Sequence, residues 1–314
     1  MQRYIFAGVL LCMIVIVVFV SFFFTSIVPL GSLFGAATIA ATPTPLPTPS
    51  PIPTPSPTPM PSPTPTPLVG GLSAYMVDGN TGKVLFDMNS HMRLPMASTT
   101  KIMTAVLAIE NLNLDQSITI QQDEIDEVPP GMSVAQLQAG DRIHVRDLLY
   151  SLLLPSGSDV AVVFAHTIAG TTPNFVAMMN NKARLLGLND THYSNPHGFA
   201  DPNHYTSAAD LTTLARYAMR FAIFDQIVAQ QNYVLPATLH NHLYNTWNNT
   251  NGLLGTYPGA NGVKTGSSDD AGYCMVFSAT HNGRFLIGTE MHADSFDQLF
   301  NDAQTLLDKG FAHP

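Results

Sequence analysis

The stretch "LPMASTTKIMTA", residues 94–105, sets a serine and a lysine three positions apart at the head of an apolar run. Residues three apart on a helix share a face, with Cβ atoms about 5–6 Å apart. The run holds good helix formers with apolar residues on most faces, which predicts a buried helix from about Ser98 to Asn111. A serine hydroxyl is a weak nucleophile until a neighbour takes its proton. Lys101 can be that neighbour when neutral, a state that burial or a nearby cation favours. Free N–H groups at a helix start also suit a developing oxyanion. A lone Ser-x-x-Lys arises often by chance and reads first as a helix cap beside a surface lysine, so the pair alone decides nothing.

Upstream, "LSAYMVDGNTGKVLFDMN" (72–89) reads as two strands around a turn at Asp78-Gly-Asn-Thr-Gly. Downstream, residues 144–170 predict a helix broken at Pro155, a short loop holding Ser156 and Ser158, and a second apolar helix. Residues 172–188 form an amphipathic helix stopped at Gly187, and residues 207–224 form one more. "NGVKTG", "AGYCMVFSAT" and "RFLIGTEM" are strands, the last two joined by "HNG" at 281–283. Residues 295–311 close as a helix. The predicted class is therefore α/β of the α+β type. An antiparallel sheet is built from both chain ends and flanked by helices, with a mostly helical insert.

The chain has 314 residues and is 46% hydrophobic, room for one large domain or two small ones. Arg3 is the single charge in residues 1–68, so the rest holds twelve Lys and Arg against 22 Asp and Glu. No basic stripe appears, which excludes a nucleic-acid binder. Cys12 and Cys274 leave no disulfide within the body. Cys12 follows "GVLL" and lacks the small preceding residue that lipid attachment favours. Residues 5–30 exceed the roughly 20 apolar residues that cross a bilayer. Residues 1–41 are expected to be a transmembrane anchor oriented by Arg3, or a long cleaved signal. Either way the body is expected outside the cytoplasm, at the cell membrane or secreted. In residues 42–67, thirteen of twenty-six are proline. Such a stretch adopts extended polyproline II, reaching about 80 Å at about 3.1 Å per residue. Residues 42–68 thus form a stalk, and 69–314 the working domain.

Two further motifs bear on Ser98. "LLPSGSDVA" places Ser156 and Ser158 in the loop between helices. "NGVKTGSSDD" places Lys264, Thr265 and Gly266 on a strand. A lysine on a sheet edge suits a substrate carboxylate and helps Lys101 stay neutral. Gly266 lets a ligand lie close against the strand. The order Ser-x-x-Lys, Ser-x-Asn-like, Lys-Thr-Gly is that of the penicillin-binding proteins and serine β-lactamases. From about residue 70 to 312 the sequence resembles the low-molecular-weight penicillin-binding proteins, the D-alanyl-D-alanine carboxypeptidases. "PMASTTKIMTA", "LLPSGSDVA", "FVAMMNNKARLLGLNDTHYSNPHG", "NGVKTG" and "AGYCMVFSA" carry the match.

The resemblance implies a β-lactamase/transpeptidase-like fold and a role for each residue. Ser98 attacks the penultimate D-Ala carbonyl of a peptidoglycan stem peptide, with Lys101 as general base. Ser156 relays a proton to the leaving group. Lys264 and Thr265 hold the terminal carboxylate. The N–H groups of Ser98 and Ser267 form the oxyanion hole, and β-lactams trap the acyl-enzyme. One position departs: the family usually has Asn where Ser158 stands, and serine reaches less far with fewer hydrogen-bonding groups. Many members also carry a C-terminal β-rich domain, which is not expected here.

No cofactor or metal is expected. His192, His197 and His204 crowd one segment and His240 and His242 form His-x-His, yet no cysteine joins them and His-Glu-x-x-His is missing. His204 reads as a loop-stabilising hydrogen bonder, and Tyr244 and Trp247 read as core rather than cleft. A class A β-lactamase needs a glutamate-held water, and no Glu lies between Ser156 and Lys264. A non-catalytic wall sensor has no need of a nucleophile with its base. Endopeptidase or transpeptidase action depends on cleft shape and stays open.

Overall fold

The strands near the C-terminus read as near-continuous apolar runs because both of their faces are covered. A computed structural model describes residues 68–312, apart from 243 and 245. In chain order the strands are β1 (Ser73–Asp78), β2 (Val84–Met88), β3 (Ser117–Thr119), β4 (Arg142–His144), β5 (Asn232–Tyr233), β6 (Trp247–Asn248), β7 (Ala260–Ser268), β8 (Gly272–His281) and β9 (Arg284–Ala293). The main sheet runs β2-β1-β9-β8-β7, and all of its pairs are antiparallel. It unites both ends of the domain, as predicted.

Side chains alternate across the sheet, and on β8 the alternation divides two cores. Met275, Phe277 and Ala279 pack with Leu299, Ala303, Leu306 and Leu307 of the closing helix. Cys274 and Val276 face the larger core that holds the helical insert. The closing helix is α8 (Phe296–Ala312). The others are α1 (Lys101–Asn111), α2 (Gln122–Asp126), α3 (Val145–Leu153), α4 (Ser158–Ala169), α5 (Thr172–Leu185), α6 (Ala208–Ala218) and α7 (Ala222–Val228). Tyr244 and Trp247 are core, 3% and 4% exposed.

Three details depart from the expectations. The single helix over 207–224 is two, α6 and α7, parted at residues 219–221. Both halves bury apolar faces, so periodicity runs through the break unseen. Ser158 is the first residue of α4 rather than a loop residue. The short elements α2 and β3 to β6 carry no expectation, because two to five residues show no period. The expected N-terminal anchor or signal and the stalk through Pro67 lie outside the described residues.

Candidate active site

Ser98 sits in a 3₁₀ turn, Ala97–Thr100, that runs straight into α1. No side chain caps the start of either segment. The turn is held by its own threonines: Thr99 Oγ1 donates to the Met96 carbonyl at 2.5 Å, and Thr100 Oγ1 to the Ala97 carbonyl at 2.7 Å. Ala97 has φ 45°, in the left-handed region that residues with a Cβ rarely adopt. Ser98 is half-buried and lines a cleft of about 370 Å³ together with Ser133, Phe199, Ser267 and Asp270.

Lys101 has no exposed surface. Its Nζ lies 2.9 Å from Ser98 Oγ, within hydrogen-bond reach, and donates to the His197 carbonyl at 2.8 Å. Burial holds its pKa well below the ordinary lysine value, the charge of Lys264 lowers it further, and Asp159 opposes. Lys264 is also buried, and desolvation alone brings it to about 7. The second lysine thus does to the first what the sequence suggested, by charge.

β7 brings the Lys-Thr-Gly motif against this turn. Lys264 and Gly266 share one face of the strand, and a Cβ on Gly266 would lie 2.8 Å from Ser98 N and 3.0 Å from Thr99 N. Lys264 Nζ donates to the Thr265 carbonyl at 3.0 Å, and Thr265 Oγ1 pairs with Thr250 Oγ1 at 2.6 Å. The obstructing atoms are backbone, so Gly266→Ala must push β7 and the Ser98 turn apart. The expected result is a loss of about 10²-fold in acylation by penicillin, since misplacement of about 1 Å has that effect, together with a lower melting midpoint from the overpacking, about 1–3 kcal/mol. Stopped-flow acylation and a melting curve check it.

The Ser-Gly-Ser segment reaches the same cleft through the backbone. Ser158 N donates to the carbonyl of Ser133 at 2.8 Å, and Ser133 lines the cleft. Ser156 has φ 68° and is 4% exposed, and its hydroxyl has no hydrogen-bond partner among the described residues. The Ser158 hydroxyl is fully buried and likewise unpartnered. Of the candidates, Ser98 and Ser267 line the cleft, whereas Lys101, Ser156, Ser158 and the Lys264-Thr265-Gly266 run do not.

Several residues at the site carried no signal alone. Asp159 accepts the N–H groups of Ala135 at 2.9 Å and Leu137 at 3.0 Å, tying the cleft-wall loop to α4. Asn195 Oδ1 accepts from Gly198 N at 2.7 Å and Phe199 N at 3.1 Å. Those bonds shape the loop that presents the His197 carbonyl to Lys101. Gly198 has φ 97°, and a Cβ there would lie 2.0 Å from the Ala97 carbonyl oxygen. "SNPHG" was part of the resemblance, but a carbonyl acting through the backbone leaves no side-chain signature. His197 stays neutral, its pKa brought to about 3 by burial and then by Lys101 and His204.

A family model of the D-alanyl-D-alanine carboxypeptidases, peptidase family S11, matches residues 63–295. The chain belongs to this family. The D-alanyl-D-alanine carboxypeptidase of Streptomyces sp. strain K15 is 36% identical over 299 residues, covering 91% of this chain and 97% of its own. DacF of Bacillus subtilis strain 168, a D-alanyl-D-alanine carboxypeptidase, is 32% identical over 242 residues, 76% of this chain and 62% of its own. The crystal structure of the Streptomyces K15 DD-transpeptidase superposes with a TM-score of 0.75 at 37% identity, over 79% of this chain and 100% of that one. The antiparallel sheet with its helical insert is the fold of these DD-peptidases.

Proposed function

We propose that this member of the D-alanyl-D-alanine carboxypeptidase family removes the terminal D-alanine of peptidoglycan stem peptides through an acyl-enzyme on Ser98. One observation carries the reading: the hydroxyl of Ser98, a residue on the wall of an open cleft, stands 2.9 Å from the amine of the fully buried Lys101 behind it. A neutral amine has two N–H bonds and one lone pair. One N–H goes to the His197 carbonyl, 2.8 Å away, which leaves the lone pair for the Ser98 proton. Ser98 Oγ then adds to the penultimate D-Ala carbonyl, and its proton passes to Lys101. The oxyanion takes the N–H groups of Ser98 and Ser267. Ser156 relays a proton to the departing D-alanine nitrogen, and water later cleaves the ester. Lys264 and Thr265 hold the terminal carboxylate and the peptide lies along the free edge of β7, while Gly266, expected from the sequence to admit a ligand, instead admits the Ser98 turn against the strand. Ser158 acts through its N–H on the cleft wall, not as the longer asparagine arm.

The relatives' names include both carboxypeptidase and DD-transpeptidase, so the second reading is the same acyl-enzyme passed to an amine. We place residues 1–41 as the anchor of an exported domain at the cell membrane and residues 42–68 as its spacer, on the unbroken apolar run and the proline content.

The test incubates the full chain with a fluorescent penicillin and with a peptide ending in D-Ala-D-Ala. Labelling together with free D-alanine is expected. Labelling without release supports the wall sensor, release only with an added amine supports the transpeptidase, and rapid lactam turnover supports the lactamase.

The reading also sets a pH dependence. Lys264 in the free protein is charged below about 7, so a carboxylate substrate loses its cation as pH rises through that value. The kcat/KM profile, which reports the free protein, is expected to fall on the alkaline side near pH 7. A bound carboxylate favours the charged lysine, so the alkaline limb of kcat is expected at higher pH. Coincident limbs contradict a carboxylate at Lys264.

A further inference from the structure

The loop after the His197 carbonyl makes a second, indirect approach to the nucleophile. His204 is 3% exposed. Its Nδ1 accepts the backbone N–H of Ser194 at 3.0 Å, and burial keeps the ring neutral, with a pKa near 4. The single ring proton is therefore on Nε2. That nitrogen lies 2.7 Å from Thr100 Oγ1 and donates to it, while the Thr100 hydroxyl gives its own proton to the Ala97 carbonyl at 2.7 Å. The three bonds run in one direction, each group accepting on one side and donating on the other, an arrangement in which hydrogen bonds polarise one another.

The Ala97 carbonyl belongs to the same peptide unit as the Ser98 N–H. That unit is planar and trans, so its C=O and N–H point opposite ways. Holding the oxygen sets the direction of the N–H. The hold has something to resist, because Ala97 is in the left-handed region at φ 45° and the turn has no side-chain cap.

We infer that His204 is a positioning residue for the reaction: through Thr100 and the Ala97 carbonyl it aims the Ser98 N–H at the substrate oxyanion. This rests on the role proposed above for that N–H. It goes beyond a loop-stabilising histidine, because the two ring nitrogens do different work. Nδ1 holds the loop, and Nε2 holds the nucleophile turn.

Two substitutions separate the nitrogens. The amide of Gln reaches where Nε2 stands, so His204→Gln retains the donor to Thr100 and gives up Ser194. The oxygen of Asn lies near Nδ1, so His204→Asn does the reverse. The measurements, on the full chain, are the acylation rate constant with a fluorescent penicillin, the affinity of the complex before acylation, and the melting midpoint. His204→Asn and the near-isosteric Thr100→Val are expected to acylate about tenfold slower or worse at little-changed affinity, part of the about 10²-fold or more that an oxyanion donor supplies. His204→Gln is expected to stay within about threefold of wild type. A purely loop-stabilising role predicts the opposite order. Equal losses for Gln and Asn, a reversed order, or a Thr100→Val chain that acylates at the wild-type rate overturn the inference. Thr100→Val leaves the loop bond to Ser194 intact, so a wild-type acylation rate in it overturns the inference even if a His204 variant fails to fold. A wild type that takes up no penicillin sinks the reading of the site and the inference with it. A wild type that reacts while the variants disobey sinks the inference alone.

Discussion

A Ser98→Ala chain is expected to form no covalent adduct with penicillin and to release D-alanine at least about 10⁴-fold more slowly than wild type. The reaction has one bond-forming atom on the protein side. Without Oγ, Lys101 has no hydroxyl to deprotonate, and the buried Ser156 hydroxyl has no hydrogen-bond partner among the described residues, so no amine activates it. What survives is binding at β7 and the N–H groups of the turn, which accounts for residual catalysis in other nucleophile deletions. The fold should be indifferent. Ser98 is half-buried, and Lys101 retains its bond to the His197 carbonyl at 2.8 Å. Mass spectrometry of the penicillin-treated chain and a D-alanine assay measure both outcomes. An adduct on the variant would move the acyl group to another serine and dismantle the assignment.

The architecture was legible wherever the chain repeats itself with a period. β8 and β9 are long enough to show apolar runs, "YCMVF" and "FLI", and α8 is long enough to show an amphipathic face. The α6–α7 break was hidden because both helices bury apolar faces through the sequence "ARYAMRFAIF". At the site, the side chains with chemistry of their own were legible: Ser98, Lys101 and Lys264 announce themselves by type and spacing. Groups that act through the backbone were not. The His197 carbonyl, the left-handed Ala97 and the Ser158 N–H carry no residue-type signal, because the same atoms exist at every position. Ser158 shows the limit most clearly. Its side chain suggested a shortened substrate contact, whereas its hydroxyl is fully buried and its N–H holds the wall of the cleft. His204 lies between these cases, since its type suggested a hydrogen bonder and only the fold showed which two partners it joins.

Lys101→Met is expected to acylate at least about 10³-fold more slowly, the middle of the range for loss of a general base, while melting higher than wild type at neutral pH. The two effects share a cause. Folding strips water from the amine, and that burial holds its pKa well below the ordinary value. Lys264 behaves alike, at about 7 against an ordinary 10.5. Between about pH 7 and 10.5 the unfolded chain therefore binds more protons than the folded one, and wild-type stability rises with pH across that window. Methionine fills a similar volume and has no proton to give up. Its substitution removes the burial penalty of Lys101, while the His197 carbonyl loses a donor at every pH alike. The gain in melting temperature over wild type is thus expected to be largest near pH 7 and to shrink toward pH 10, where the unfolded lysine sheds its proton too. Melting curves of both chains across that range measure it. A gain that does not vary with pH would mean that Lys101 remains charged in the folded protein, and a charged ammonium has no lone pair with which to take the proton of Ser98.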